Sequence, residues 1–390
     1  MTLSKIIHLN KTDIIKNGSI FTPDKIVEIA RNWTQKYISK TDFIIDFGVG
    51  YGSFISKFVD LSNNCIATDI DSQSTELVRE LFPTVRTILE NSLVNINRAK
   101  YGISEESKLV IIGNPPYNDF TSQYKKGEKG AIFQDPVVKS RDLGISFLKM
   151  YSILKPNYIC VLHPLSYLIK KTNFNSLGSF KNHYRLIRGL VFSSKTFESI
   201  KKSNMEFPVV LSLYQASNKG MTEFAFIEKF PFEIIDSNQT FSLVNFNTID
   251  GWLNKYPSNN KTAGDLLFYT IRDINALKRN RTFLKGKVTN GVKVDITNLY
   301  KYAWLDYFKF YFKTNNDYLF GNLSPLYDPT LDSSEIKREL ISYIVNNNIV
   351  VKNHFSSNEL MNKIKEHYKI NDFVYQFPLL EELIKKLIKF

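Results

Sequence analysis

The run Ile111-Ile112-Gly113 ends on Asn114-Pro115-Pro116-Tyr117, a tetrad whose residue types suit one chemical task. Two prolines in series fix φ and remove two backbone N–H donors, so the turn is stiff and offers mainly carbonyl acceptors. Asn114 adds an amide oxygen, and Tyr117 adds a flat aromatic face. Together they can stack on a planar heterocycle while accepting both hydrogens of one exocyclic amino group. The plainer reading is a stiff turn after a strand, so the meaning of the tetrad depends on what accompanies it.

A second signal lies upstream, in Asp46-x-Gly48-x-Gly50-x-Gly52. In a strand-to-helix turn, glycines let the backbone approach a ligand and adopt φ above zero, while the carboxylate at the strand end can receive a ligand ammonium. The spacing is not the Gly-x-Gly-x-x-Gly of pyrophosphate binders. Asp69 follows 23 residues after Asp46, where an acid is placed to bond both hydroxyls of a ribose. Asp71 is the neighbour that can take this role instead, and a helix cap is the bland alternative for either.

These residues need a scaffold, and the first half of the chain reads as strands and helices in alternation. Asp24 to Tyr37 has helical apolar spacing entered through Thr22-Pro23, and Phe43 to Phe47 is a short buried strand. The stripe Phe54, Ile55, Phe58, Val59, Leu61 predicts a helix; Cys65 to Asp69 is a strand, Ser74 to Leu81 a helix and Val85 to Ile88 a strand. Leu109 to Ile112 delivers the tetrad. Helix Leu143 to Leu154 and strands at Tyr158 to Leu162, Leu190 to Phe192 and Pro208 to Tyr214 follow. Strands separated by helices predict an α/β layered sheet with crossovers.

Composition bounds the function. A chain of 390 residues is long enough for two domains, and 51 Lys plus Arg against 38 Asp plus Glu, a net +13, suits a polyanionic partner. No run of 18 apolar residues occurs and the first ten residues are too polar for a secretory signal, so a cytoplasmic protein without a membrane segment is expected. Cys65 and Cys160 are too few for a disulfide framework, and the five histidines show no metal-ligand spacing, so no metal is expected. Gln215 to Met221 is polar and small, a linker dividing residues 1–215 from 216–390, with the boundary open to about residue 250. Between Lys255 and Lys313 lie 12 Lys and Arg against 4 Asp, including Lys278, Arg279, Arg281, Lys285 and Lys287, which suit phosphate contacts. The aromatics from Tyr300 to Phe312 have the spacing of a buried face, and from Glu335 onward the pattern is helical.

In their order, Phe21-Thr22-Pro23, Asp46-Phe47-Gly48-Val49-Gly50-Tyr51-Gly52, Asp69 and Asn114-Pro115-Pro116-Tyr117 resemble the S-adenosylmethionine-dependent adenine-N6 DNA methyltransferases of the gamma group, over roughly residues 18 to 215. The resemblance implies a Rossmann-like methyltransferase sheet flanked by helices, followed by a mixed α/β target-recognition domain that binds duplex DNA. It implies that Phe21, Thr22 and Pro23 belong to the cofactor site, with Thr22-Pro23 holding the methionine carboxylate through the backbone, and that Asp46, Phe47, Gly48 and Gly50 flank the cofactor's methionine part. Asp69 would bind the ribose and Ile70 would pack beside the cofactor adenine. Asn114 and the Pro115 carbonyl would accept from N6 of the target adenine, Pro116 would stiffen the turn and Tyr117 would stack on the base. Phe197, or alternatively Phe207, would close the other face of a flipped base. Where relatives commonly carry Asp followed by an aromatic, this chain has Asn91-Ser92; Asn91 can still meet the cofactor's adenine amino group, but the aromatic is missing. The implied role is the modification enzyme of a restriction system, a monomer with a separately encoded endonuclease as its counterpart. Transfer to RNA adenine or to a protein glutamine uses the same tetrad chemistry, and a non-enzymatic binding module is the third reading.

Overall fold

The short apolar runs of the first half become adjacent strands. The computed structural model describes residues 22–116, 133–197, 207–238, 240–245, 249, 251–271, 282–286, 288–312 and 327–388. Its order begins α1 (Asp24–Thr34), β1 (Phe43–Phe47), β2 (Asn64–Asp69), α2 (Ser72–Leu81), β3 (Arg86–Leu89) and β4 (Leu109–Gly113). It continues with α3 (Leu143–Leu154), β5 (Tyr158–Pro164), the short helices α4 (Ser166–Ile169), α5 (Lys171–Ser176) and α6 (Ser179–His183), and then β6 (Tyr184–Ser193) and β7 (Pro208–Ala216). Helix α7 (Phe224–Lys229), β8 (Phe232–Ile234) and β9 (Thr240–Phe241) complete a first compact unit, Met1–Phe241.

One nine-stranded sheet runs through this unit in the order β3-β2-β1-β4-β5-β7-β6-β8-β9. Strands β3, β2, β1, β4 and β5 pair in parallel, and β7 is antiparallel to both β5 and β6. Helices cover such a sheet on both faces, which is why β4 (Leu-Val-Ile-Ile-Gly) is apolar and buried along its whole length instead of alternating. Helix α1 contributes Ile26, Val27, Ala30 and Trp33 to the core, and α2 starts where the Asp71 side chain accepts from the Ser74 N–H at 3.1 Å.

Two sequence expectations change. The stripe from Phe54 to Leu61 is buried at Phe54, Ile55 and Phe58 but forms no α-helix; its one regular turn is a 3₁₀ turn at Ile55–Lys57. Bonds there mix four-residue steps (Val59 N–H to the Ile55 carbonyl) with three-residue steps (Leu61 N–H to the Phe58 carbonyl). So short a segment, following glycines with positive φ, makes too few consecutive bonds to repay helix nucleation. The stretch read as a linker is also part of the first unit. Gln215 pairs with Tyr158, Met221 is buried and donates its N–H to the Lys181 carbonyl, and β8 pairs with β6, so the division falls after Phe241, inside the range to residue 250 left open by the sequence. The helices α4 to α6 were not read from the sequence at all, being too short to show a period.

The second unit, Ser242–Phe390, holds a three-stranded antiparallel sheet of β10 (Leu266–Tyr269), β11 (Phe283–Leu284) and β12 (Gly291–Val294), ordered β11-β10-β12. Helices α8 (Leu299–Phe312), α9 (Ser334–Asn347), α10 (Ile349–His354), α11 (Asn358–Tyr368) and α12 (Pro378–Ile388) follow. Tyr300, Tyr302, Trp304, Tyr307 and Phe308 of α8 are buried in its core, as their spacing implied, so they are not a surface for stacking bases. Among the described residues no helix is long and apolar enough to cross a membrane.

Candidate active site at the carboxyl edge of the sheet

Strand order reverses between β1 and β4: the chain leaves β1 toward β2 and β3, and leaves β4 toward β5 on the other side. Loops departing in opposite directions open a crevice at the carboxyl ends of the two strands, the usual ligand position in open α/β sheets. Asp46 is in register with Ile112, so the glycine turn after β1 and the tetrad after β4 emerge side by side. A Cβ on Gly48 would stand 3.3 Å from Pro116 Cδ, which is tight contact between the two motifs.

The glycine turn holds Gly48, Gly50 and Gly52 at φ of +71°, +50° and +80°, where side-chain-bearing residues are strained. The Gly48 and Val49 N–H groups donate to the Thr68 carbonyl at 2.9 and 3.0 Å, tying the turn to β2. Gly50 N–H donates to Asp69 Oδ2 at 2.9 Å and Asp71 N–H donates to Asp69 Oδ1 at 3.0 Å. The Ile70 N–H also acts on Asp69, and two carboxylate oxygens with about four lone-pair sites still leave acceptor capacity for a ligand. Asp71 is engaged in capping α2, accepting from both N–H and Oγ of Ser74.

Asp46 is only 2% exposed. The Ile55 N–H donates to it, Asp69 repels it, and among the described residues no Lys, Arg or His forms an ion pair with either acid. Burial first, and the charge of Asp69 second, push the Asp46 carboxyl up to about 8. Asp69 is raised as well, mainly by burial, although the N–H groups of Asp71 and Gly50 oppose the shift. Room for the Asp46 carboxyl exists because residue 113 has no side chain: Gly113 sits at φ +135°, and a Cβ there would overlap Asp46 Oδ1. Gly113 had no assigned role; its signal was a glycine closing a wholly apolar strand.

Asn114 Nδ2 donates to Thr22 Oγ1 at 3.2 Å, while Asn114 Oδ1 is buried without a hydrogen-bond partner among the described residues. Pro115 is buried and Pro116 half-buried beside it. Pro23 is half-buried and directly precedes α1, and Phe21 and Tyr117 lie outside the described residues. Ile70, 56% exposed, follows Asp69 at the end of β2.

Other expected site residues turn inward. Phe47 is buried against Tyr101 (5.6 Å between ring centroids) and Tyr151 (5.8 Å), so it supports the turn from the core. Asn91 is engaged at both ends of its amide: Oδ1 accepts the Leu93 N–H at 3.1 Å and Nδ2 donates to the Phe133 carbonyl at 2.8 Å. Ser92 Oγ meets Thr68 Oγ1 at 2.8 Å in the interior. Phe197 is fully buried 5.8 Å from Phe192, which makes it a core aromatic and not a lid over a ligand; Phe207 is partly buried against the same core. Lys285 is exposed, and Lys278, Arg279, Arg281 and Lys287 lie outside the described residues. His163, at the end of β5, is a neutral strut: burial pushes its imidazole down to about 4, and Nε2 lies 2.7 Å from the Tyr214 hydroxyl.

No family model matches the chain. Over 93 residues it is 26% identical to the ribosomal RNA small subunit methyltransferase A of Prosthecochloris aestuarii (strain DSM 271 / SK 413), a match covering 23% of this chain and 34% of that protein, so the chain spans about a third of this relative's length. Among solved structures it is similar to a putative class I S-adenosylmethionine-dependent methyltransferase from Listeria monocytogenes (13% identity, TM-score 0.40, 57% of this chain and 67% of that one). It is also similar to the type I restriction-modification system methyltransferase subunit from Streptococcus thermophilus (13% identity, TM-score 0.38, 57% and 49%). The mostly parallel sheet in the order β3-β2-β1-β4-β5-β7-β6, with β7 antiparallel to its neighbours and helices packed around it, matches the Rossmann-like methyltransferase fold.

Proposed function

We propose that this chain transfers a methyl group from S-adenosylmethionine to N6 of an adenine flipped out of duplex DNA, as the modification enzyme of a restriction system. The observation that carries this reading is Asn114 Oδ1, a buried acceptor without a hydrogen-bond partner among the described residues, at the switch point of the sheet. An unsatisfied buried acceptor costs roughly 1–3 kcal/mol, so a site that keeps one is suited to a donor that arrives with the ligand.

When bound, S-adenosylmethionine supplies an electrophilic methyl group on a sulfonium. The residues present fit it: Asp69 keeps acceptor capacity for the ribose hydroxyls, Asp46 offers a carboxyl to the cationic methionine end, and Ile70 offers an apolar surface to the adenine ring. The target amine is a weak nucleophile because its lone pair is delocalised into the purine. Asn114 Oδ1 and the Pro115 carbonyl accept its two hydrogens, which draws the nitrogen toward a pyramidal geometry and localises the lone pair. Tyr117 stacks on the base and holds it in line, and positioning of this kind is worth many kcal/mol. Flipping costs a few kcal/mol, which contacts of the basic chain with phosphates offset.

A chain that continues for 149 residues beyond the catalytic sheet, as the unit Ser242–Phe390, suits recognition of a long polyanion better than of a short protein segment. RNA adenine is the second reading, supported by the ribosomal RNA methyltransferase relative. Labelled S-adenosylmethionine offered with duplex DNA, RNA and a glutamine-bearing protein is expected to mark N6 of adenine in the DNA. Label in RNA or protein with blank DNA refutes the DNA assignment, and absence of cofactor binding refutes methyl transfer altogether.

The proton on Asp46 makes cofactor affinity depend on pH. A carboxyl held near 8 is mostly neutral at pH 7 and becomes an anion as pH rises, so attraction for a cationic ligand grows with pH. Relative to Asp46→Asn, wild-type affinity should rise roughly tenfold between pH 7 and pH 9, as the ionised fraction does. Calorimetric titration of both proteins with the cofactor measures this difference, and parallel profiles would contradict it.

A further inference from the structure

We infer that Phe133 is a cofactor-binding residue whose ring packs on the adenine of S-adenosylmethionine, a role that rests on the reading of this crevice as the cofactor site. The ribose expected at Asp69 carries its base on a single bond, so the base must lie among the neighbouring strand ends. Asp69 is in register with Leu89, and the Glu90 N–H donates to the Asp69 carbonyl at 2.8 Å, so the end of β3 and the turn after it border the ribose position. That turn has little of its own to offer a flat ring. Glu90 is engaged by the Tyr101 hydroxyl at 2.7 Å and by Lys100 at 2.8 Å, Ser92 and Leu93 are buried, and both ends of the Asn91 amide are bonded.

What the turn does instead is hold an aromatic from a distant part of the chain. Asn91 Nδ2 donates to the Phe133 carbonyl at 2.8 Å and the Asp135 N–H donates to the Leu93 carbonyl at 2.9 Å, so two bonds fasten that segment to the turn. The buried Gln134 anchors it further, its Oε1 accepting from Ser146 Oγ at 2.7 Å and from the Ser140 N–H at 3.3 Å. Between these fixed points the Phe133 side chain is 72% exposed. Ile70 and Leu89, at the ends of β2 and β3, are each more than half exposed along the same edge of the sheet. Large apolar side chains left in water on anchored backbone gain by covering themselves with a ligand, and the flat group due at this edge is the cofactor's adenine. The target base belongs elsewhere: β2 and β1 separate β3 from β4 and its Asn114, a span of about 14 Å.

Calorimetric titration with sinefungin, a stable analogue of the cofactor, tests this. Phe133→Ala is expected to weaken its affinity roughly ten- to a hundredfold, the effect typical of removing an aromatic from a stacked base, and Phe133→Trp should restore it. The indole of Phe133→Trp also reports the contact directly, its fluorescence falling as sinefungin is added, beyond any change that wild type shows from Trp33, Trp252 and Trp304. Asn91→Ala should weaken sinefungin less, and combined with Phe133→Ala it should add nothing, because Asn91 acts through the segment it holds. Losses that add would place Asn91 on the adenine directly and overturn its role as the tether of Phe133. Wild-type sinefungin affinity in Phe133→Ala, with or without a loss of DNA affinity, overturns the assignment of Phe133 to the cofactor. A wild-type protein that binds no sinefungin refutes the cofactor reading of the crevice itself, and this inference with it.

Discussion

Asn114→Ala is expected to lower the rate of methyl transfer by about 10²- to 10³-fold while S-adenosylmethionine still binds, the size typical of losing one preorganised hydrogen-bonding group from a reacting centre. The residue sits at the end of β4 with its side chain outside the hydrophobic core, joined to the rest of the protein through the Thr22 hydroxyl. Truncation removes that bond, the one its side chain makes among the described residues and worth about 1 kcal/mol to stability, so the fold should survive with a small shift in Tm. Its effect on chemistry is larger, because the acceptor acts on the target nitrogen only as the lone pair leaves conjugation. That interaction is stronger in the transition state than in the ground state, and its loss should appear in kcat more than in KM. Single-turnover kinetics with saturating cofactor and DNA separates the two. An unchanged single-turnover rate would remove Asn114 from the reaction and with it the central support for the proposed function.

Gly113→Ala is expected to be as severe, but through the fold. At φ +135° the backbone occupies a region that any side chain strains, at a cost of roughly 1–3 kcal/mol. The new methyl would also overlap Asp46 Oδ1, in a crevice where β4 is paired with β1 on one side and β5 on the other, and overpacking adds roughly 1–3 kcal/mol. The side chain that can yield is Asp46, and its displacement takes the carboxyl away from the position proposed for the cofactor. Gly113→Ala should therefore lower stability by about 2–6 kcal/mol in denaturant titration and weaken cofactor binding beyond what partial unfolding explains. Adding Asp46→Gly relieves the overlap but not the backbone strain, so it should restore part of the stability and none of the cofactor affinity. A single Gly113→Ala protein as stable as wild type would show that Asp46 does not occupy the place described.

The features legible in the residues alone are local ones. Asn114-Pro115-Pro116 is a stiff turn because proline ring closure makes it so, and the positive φ of Gly48, Gly50 and Gly52 follows from residues that alone tolerate it. Wholly apolar stretches such as Leu109 to Ile112 announced buried strands, and the spacing of Tyr300, Trp304 and Phe308 announced a buried face, of helix or strand. Each of these depends on neighbours within a few residues. Which distant groups meet is set by long-range packing. Asp69 is tied to the glycine turn because Gly50 comes to lie across from it; Asn91 is occupied because the Phe133 carbonyl comes to lie beside it; Phe197 is a core side chain because Phe192 packs on it. The apolar stripe from Phe54 to Leu61 reported burial correctly but not the helix expected of it, since periodicity records which residues avoid water and not how many consecutive hydrogen bonds the chain can close. The site itself belongs to this second kind. A glycine turn and an Asn-Pro-Pro turn become one crevice only because the strand order reverses between β1 and β4, and that reversal is a property of long-range pairing that no local spacing encodes.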